Sequence, residues 1–287
     1  MKIAVVGLGL IGGSICKSLK KNTFHYIMGT DIDGAVCEKA LACGAIDEVI
    51  KPEQLGEADM TIICLYPEQI VKFVNEYADV FKPGSIVTDS CGVKEYVVEG
   101  CTAVLAERGV IFVGSHPMAG REFSGFDYST DDLFVGASYI VTPTEDTPKM
   151  AIDLLATLAC CMGFEKVVTA TPQQHDTNIA FTSQLAHVVS NAYVKSPSLF
   201  NADGFSAGSF LDLTRVAKLN EHMWSSLFLC NKKALLFELE NIINNLEQYK
   251  SAIESDDIES LKAILKDGRE RKEQSLELYA KHGGKNG

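Results

Sequence analysis

No stretch of the 287-residue sequence approaches the roughly 18 apolar residues that a membrane-spanning helix needs. Its nine cysteines include no CxxC pair, and no metal site is evident. This odd, scattered set, with Cys160 and Cys161 adjacent, reads as free thiols in a reducing cytoplasm. The opening Met1-Lys2-Ile3-Ala4-Val5-Val6 runs straight into glycines and has no signal-peptide form, so a cytoplasmic protein with no membrane partner is expected. Basic residues are also scarce. There are 26 Lys and Arg against 38 Asp and Glu, a formal net charge of −12. That balance argues against a nucleic-acid partner, which needs Lys and Arg to displace counterions. It leaves open an anionic small molecule, whose recognition takes only a few well-placed cations. Internal repeats and low-complexity segments are absent.

What is present is an ordinary globular composition, 46% hydrophobic and 22% charged, long enough for two modest domains. Short, β-branched-rich runs at 3–6, 26–30, 60–65, 86–88, 111–114 and 139–142 read as buried parallel strands. Between them, 11–21, 35–43 and 68–80 are helix-compatible, with Gly or Pro near their ends. Strand–helix alternation predicts a doubly wound α/β sheet covered on both faces. Near residue 170 the pattern changes. Thr171-Pro172-Gln173-Gln174 has the form of a capping box with Pro in the first turn. Beyond it strand signals almost vanish. Met223, Trp224, Leu227, Phe228, Leu235, Leu239, Ile242, Leu246 and Tyr249 recur at three- and four-residue steps, which predicts one long helix with a wide apolar face. Too few neighbours follow to bury that face, so a second copy of the chain is expected against it. The 283–287 tail is expected to fray.

Gly7-Leu8-Gly9-Leu10-Ile11-Gly12 fits G-x-G-x-x-G directly after an apolar strand and at a helix start, the context that motif requires. The first glycine makes the turn, the second admits a pyrophosphate, and the third lets helix and strand pack closely. Asp31 ends the second strand, 19 residues after Gly12. A carboxylate there suits the two ribose hydroxyls and repels a 2′-phosphate, which favours NAD over NADP. Leu65 and Ser90 are further expected cofactor contacts.

Residues 114–120 leave a strand as Gly-Ser-His-Pro-Met-Ala-Gly, and ligands of doubly wound sheets bind beyond the carboxyl ends of strands. His116 there is a candidate proton acceptor near neutral pH. On the helix from Pro172, Asp176, Ser183, His187 and Ser190 or Asn191 fall in one sector at 100° per residue, a polar stripe expected to face a cleft. In 204–215, Asp212 and Arg215 lie one helical turn apart. Both an intrahelical ion pair and an Arg holding a carboxylate in a fork fit that spacing.

Taken in order, VGLGLIGGS, GSHPMAG, TPQQHD and DLTRVA followed by MW resemble the prephenate/arogenate dehydrogenase family along essentially the whole chain. The resemblance implies an N-terminal Rossmann-type NAD-binding domain (1–168) and an all-helical C-terminal substrate and dimerisation domain (169–287), assembled as a homodimer. It implies oxidation at the ring C4 hydroxyl of prephenate with loss of the ring carboxylate, giving 4-hydroxyphenylpyruvate, CO2 and NADH in tyrosine biosynthesis. By carry-over, His116 is the catalytic base, Arg215 binds a substrate carboxylate, and His187 is a second substrate-pocket His. Gly208, Asp212 and Trp224 line the pocket or its dimer-related wall, and Ser115 and Gln184 are further expected substrate contacts.

Two departures from the family pattern stand out. Gly92 occupies a position where the family commonly has Ser, with Ser90, Cys91 or a water as possible substitutes. Gln184 stands where many relatives carry another His. Three rival readings remain: an arogenate dehydrogenase, a non-catalytic NAD sensor, and a 3-hydroxyacid dehydrogenase. The last requires a Lys inside the first interdomain helix, where this sequence offers only Lys195 at its end.

Overall fold

The computed structural model describes every residue except 122, 202, 203 and 282–287; the 283–287 tail therefore lies outside the described residues. The first part of the chain alternates β1 (Lys2–Val6), α1 (Leu10–Asn22), β2 (Tyr26–Thr30), α2 (Gly34–Ala42), β3 (Glu48–Val49), β4 (Met60–Ile63), α3 (Pro67–Tyr77), β5 (Ile86–Asp89), α4 (Glu95–Ala106), β6 (Ile111–Pro117), β7 (Ser138–Thr142), α5 (Lys149–Cys161) and β8 (Lys166–Thr169). These strands form one sheet in the order β3-β2-β1-β4-β5-β6-β7-β8. Period-2 alternation sends Ile3, Val5 and Ile62 to the face covered by Ile15 and Leu19 of α1 and Leu155 and Leu158 of α5. Ala4, Val6, Ile63 and Val87 go to the other face, under Ile70 and Val74 of α3 and Val97 and Leu105 of α4. Both faces are thus covered, as the near-continuous apolar runs require.

The sheet departs from the all-parallel expectation at one edge. β6 pairs with β7 in antiparallel register, His116 opposite Ile140, and β8 then runs parallel to β7. Two short strands were not expected. β3 has only two residues, and β8 is a four-residue strand at the sheet edge, so neither is long enough to show a period.

A helical region follows: α6 (Pro172–Ile179), a π-helical turn (Ala180–Leu185), α7 (Ala186–Tyr193), α8 (Gly208–Thr214), α9 (Glu221–Cys230), α10 (Lys232–Glu254) and α11 (Ile258–Lys281). The capping box forms as expected. Thr171 Oγ1 accepts from Gln174 N at 3.1 Å, and Gln174 Oε1 accepts from Thr171 N at 3.0 Å. The predicted single helix through 223–249 is instead two, broken at Asn231 (φ −113°, ψ 30°). Its buried side-chain amide donates to Asp176 O and Gln184 Oε1, both at 2.8 Å, and that anchor redirects the chain. The apolar residues of 223–249 consequently divide. Trp224, Leu227 and Phe228 are partly buried, whereas Phe237 and Leu246 of α10 are 61% and 60% exposed. By internal packing the chain forms two compact units, Met1–Leu235 and Leu236–Gly287. In the second, i,i+4 pairs such as Lys250–Glu254 and Arg271–Asp267 run along the helix surfaces.

Candidate active site

The glycine turn between β1 and α1 is built for close backbone approach. Gly7 has φ +85°, and a Cβ there would lie 2.5 Å from Cys64 O and 2.9 Å from Leu65 Cδ2. A Cβ on Gly12 would lie 1.9 Å from Gly7 O, so helix and turn can meet only through glycine. Gly9 is different: a Cβ there meets nothing within 4 Å, which leaves open space over the helix end. No side chain caps α1 at Gly9, so the amides of its first turn, Leu10 and Ile11 among them, face that space with a positive helix end. Asp31 is tied to the same turn, its Oδ2 accepting from Leu8 N at 2.7 Å and its Oδ1 from Asp33 N at 3.0 Å. The Leu8 side chain is fully buried, so only its backbone borders the turn. Ser90, just after β5 and two strands over from β1, is half-buried, with its hydroxyl beside the Cys64 thiol that follows β4. Gly7–Gly12, Asp31, Leu65 and Ser90 thus border one region at the carboxyl ends of β1, β2, β4 and β5, and an open cradle beside an uncapped helix end fits a dinucleotide's diphosphate.

At the carboxyl end of β6, His116 is half-buried. Its Nδ1 lies 2.9 Å from Nε2 of His175 on α6, and His175 Nδ1 lies 2.7 Å from Asp176 Oδ1. Proton bookkeeping along this chain has one neutral solution. The carboxylate only accepts, so His175 carries its hydrogen on Nδ1 and its Nε2 is a lone pair. His116 must then carry hydrogen on Nδ1 and present a bare Nε2. That nitrogen faces Gly92, where a Cβ would lie 3.7 Å from it and 3.6 Å from Leu227 Cδ2 of α9. Burial, then the neighbouring His175 and Lys94, push the His116 imidazole well below its ordinary range. Burial also lowers His175, partly offset by Asp176. Both rings are therefore neutral near pH 7, with Nε2 of His116 ready to accept a proton.

Asp176 is held as firmly as the histidines. Its two carboxylate oxygens accept from Lys94 N at 2.7 Å and Glu95 N at 2.8 Å, capping the first turn of α4 from a distant segment. Such a cap stabilises a helix by about 1 kcal/mol and favours negative charge at the helix's positive end. Behind it, Lys94 and Asp89 form a salt bridge in which both side chains are 0% exposed.

The remaining expected residues fall into two groups. The His187 ring lies tilted against Trp224 with ring centroids 4.0 Å apart, and its Nδ1 donates to Ser183 O at 2.8 Å, leaving Nε2 as an acceptor. Burial and the nearby Arg215 guanidinium lower the His187 imidazole, against the pull of Ser183 O. Arg215 is exposed and makes no ion pair among the described residues, so of the two readings of its spacing the intrahelical pair with Asp212 does not form. Asp212 and Gly208 are likewise exposed on α8.

Ser115 and Gln184 lie behind the surface. The Ser115 hydroxyl is buried, donating to Asp89 O at 2.5 Å and accepting from Tyr139 OH at 2.6 Å and Thr88 Oγ1 at 3.0 Å. Gln184 is 1% exposed, its amide shared between Leu227 O at 3.2 Å and Asn231 at 2.8 Å. Cys91 turns inward too, its Sγ 3.1 Å from Val93 O.

Sequence reasoning passed over His175, Lys94 and Asp89. A signal existed for His175, adjacent to Asp176 in the TPQQHD run. For Lys94 it was a lone cation among Val93, Val97 and Val98. The polar stripe also needed correction. The π-helical turn at Ala180–Leu185 inserts a residue between Asp176 and His187, so a constant 100° step fails across it.

Comparison with known proteins agrees with this geometry. Residues 15–178 match the model for the nucleotide-binding domain of prephenate dehydrogenase, and residues 171–267 match that for its dimerization domain. The chain is 33% identical to the prephenate dehydrogenase of Bacillus subtilis, over 93% of this chain and 74% of that one. Among solved structures, prephenate dehydrogenase from A. aeolicus in complex with hydroxyphenyl propionate and NAD+ superposes with a TM-score of 0.85 at 30% identity, covering 96% of this chain and 98% of that one. Synechocystis arogenate dehydrogenase gives 0.81 at 29% identity, covering 96% and 100%. A glycine cradle for a dinucleotide, a strand-end histidine held in one tautomer, and two family models that together reach from residue 15 to residue 267 agree: the chain belongs to the prephenate dehydrogenase family.

Proposed function

We propose that the chain catalyses the NAD-dependent oxidative decarboxylation of prephenate to 4-hydroxyphenylpyruvate, in the cytoplasm and on the route to tyrosine. The observation that carries this reading is the bare Nε2 of His116, fixed by the His175–Asp176 chain and facing Gly92. Gly7–Gly12 would hold the diphosphate of NAD and Asp31 its ribose, and the bound nicotinamide would supply the acceptor for the hydride that leaves C4.

His116 Nε2 takes the C4 hydroxyl proton as that hydride departs, and the new imidazolium keeps its Nδ1 hydrogen on His175 Nε2. The carboxylate of Asp176 stabilises this charge through His175. Once C4 is a ketone, the ring carboxylate belongs to a vinylogous β-keto acid. Loss of CO2 then sends its electron pair into the ring and yields the aromatic product. That step needs little from the protein beyond holding the reactants in position. Arg215, unpaired among the described residues and close to His187, is the cation available for a substrate carboxylate.

Ser115 and Gln184 act behind the pocket wall in this reading, since their polar atoms are engaged within the chain. The division of labour falls near residue 169, with NAD held by 1–168 and substrate handling and dimerisation assigned to 169–287. The two family models meet at 171–178, which supports it. The exposed apolar residues of α10 suit burial against a second copy.

A turnover assay with prephenate and NAD, following NADH absorbance, tests the reading; absence of NADH formation at saturating substrate would overturn it. One observation favours arogenate as a second substrate. Neutral His187 offers an acceptor at Nε2, which suits the ammonium that replaces the keto oxygen of prephenate. The ratio of kcat/KM for the two substrates decides between them.

A further inference from the structure

The regular ladder between β5 and β6 ends at Thr88 opposite Val113. β6 nevertheless continues to Pro117, paired only with β7 on its other side. The backbone of Ser115 therefore faces the β5 side in the interior with no strand to bond to, and a buried orphan amide or carbonyl is costly. Two side chains replace the missing strand. Asp89 Oδ1 accepts from Ser115 N at 3.2 Å, and Lys94 Nζ donates to Ser115 O at 2.7 Å. The Lys94–Asp89 salt bridge closes the ring, and Cys91 N donates to Asp89 Oδ2 at 3.0 Å. His116 is the next residue along the strand.

Lys94 also holds the other imidazole. Its backbone N–H donates to Asp176 Oδ1, the same oxygen that accepts from His175 Nδ1. One residue thus reaches both members of the proton-accepting pair, through its side chain to the strand carrying His116 and through its backbone to the carboxylate orienting His175. A buried ion pair is weak evidence for stability, because apolar replacements are often neutral or better. The side chain is 0% exposed, so it does not contact a substrate.

We propose that Lys94, together with Asp89, is a positioning residue that sets the His116–His175 geometry and keeps the pair ready to accept a proton. The inference rests on His116 acting as the base. Burial opposes the charge on Lys94, but Asp89 holds the ammonium protonated, and its field in turn disfavours protonation of both histidines. The charged and titratable groups packed around the pair are Asp89 at the end of β5, Cys91 just after it, Lys94 before α4, Tyr139 of β7 and Asp176 of α6.

The test compares Lys94→Met with the charge-neutral double variant Asp89→Asn, Lys94→Met, both checked for folding by thermal melting and NAD binding. In folded Lys94→Met we expect kcat to drop at least about tenfold with KM for NAD within about twofold. The acid limb of the kcat/KM profile and the His116 titration, read by NMR in the cofactor-free protein, should both move to higher pH. The double variant removes the isolated buried charge. It should melt nearer to wild type yet remain slow, because Ser115 O still lacks its donor. A folded variant with wild-type kcat and an unmoved acid limb overturns the proposal. Failure of both variants to fold also overturns it, assigning the pair to stability alone. If wild type itself fails to turn over prephenate, the proposed function falls instead, so the two failures are distinct.

Discussion

Replacing His175 by Asn probes the tautomer argument with little collateral damage. Asn can still donate from near the old Nδ1 position to Asp176, so the cap on α4 survives. It cannot reach the 2.9 Å contact with His116 Nδ1. In wild type that contact is a neutral hydrogen bond before reaction and a charge-assisted one once Nε2 has taken the substrate proton. A hydrogen bond to a charged group contributes about 1.5–3 kcal/mol. At about 1.4 kcal/mol per decade, kcat should fall by roughly 10- to 150-fold. The variant also frees His116 to carry its hydrogen on Nε2, where it can no longer accept, which pushes the loss toward the upper end. Steady-state kinetics at saturating prephenate and NAD give kcat, while NAD affinity and melting temperature show whether Gly7–Gly12 and the fold around the buried His175 are intact. If kcat stays within about twofold of wild type in a folded protein, the relay has no catalytic part and the tautomer of His116 is set by something else.

Three further outcomes are expected. Arg215→Ala should lower kcat/KM for prephenate at least about thirtyfold, roughly 2 kcal/mol, and leave the melting temperature unchanged, since Arg215 has no ion pair to lose among the described residues; a loss of stability with unchanged kinetics would refute the substrate role. Asp31→Ser should narrow a preference for NAD over NADP that is at least about tenfold in kcat/KM, and equal use of both cofactors by wild type would contradict the ribose assignment. His116, His175 and His187 all titrate below their ordinary range. The folded state therefore binds fewer protons than the unfolded chain, so stability present above about pH 6.5 should be lost as pH falls below it. The acid limb of kcat/KM should likewise lie below pH 6.5, and a limb above it would be inconsistent with a half-buried, neutral His116.

Much of this site could be read from residue order because its parts are backbone devices. A glycine turn that excludes any Cβ, a carboxylate at the end of β2 and a His at the end of β6 follow from local geometry, and the capping box at Thr171 does too. What could not be read depends on distant segments. Asp176 caps a helix that begins 81 residues earlier, at Glu95, and nothing local to either residue predicts that pairing. The break at Asn231 is invisible to apolar periodicity, which runs through it unchanged; its cause is two hydrogen bonds to α6 and the π-helical turn. The reversal of β7 leaves no mark either, since a buried strand looks the same in either direction.

The arrangement also accounts for how an acidic chain can bind a dianionic substrate. Of the cations near the site, Lys94 is neutralised by Asp89 within the core, so its field acts on the histidines at short range and adds little attraction outside. Arg215 keeps an exposed guanidinium unpaired among the described residues. Exchanging these roles would fail twice. A paired Arg215 would offer no fork to a carboxylate, and an unpaired Lys94 would lower its own ammonium by burial and release the strand that holds His116. On the proposed roles, the separation leaves His116 neutral and keeps the free positive charge exposed for a substrate carboxylate. It predicts that the anion is recognised at the helical side of the cleft while the proton is accepted at the sheet side. A substrate that fits must therefore carry its carboxylate and its reacting hydroxyl at opposite ends, as the para-related groups of a 4-hydroxycyclohexadiene carboxylate do.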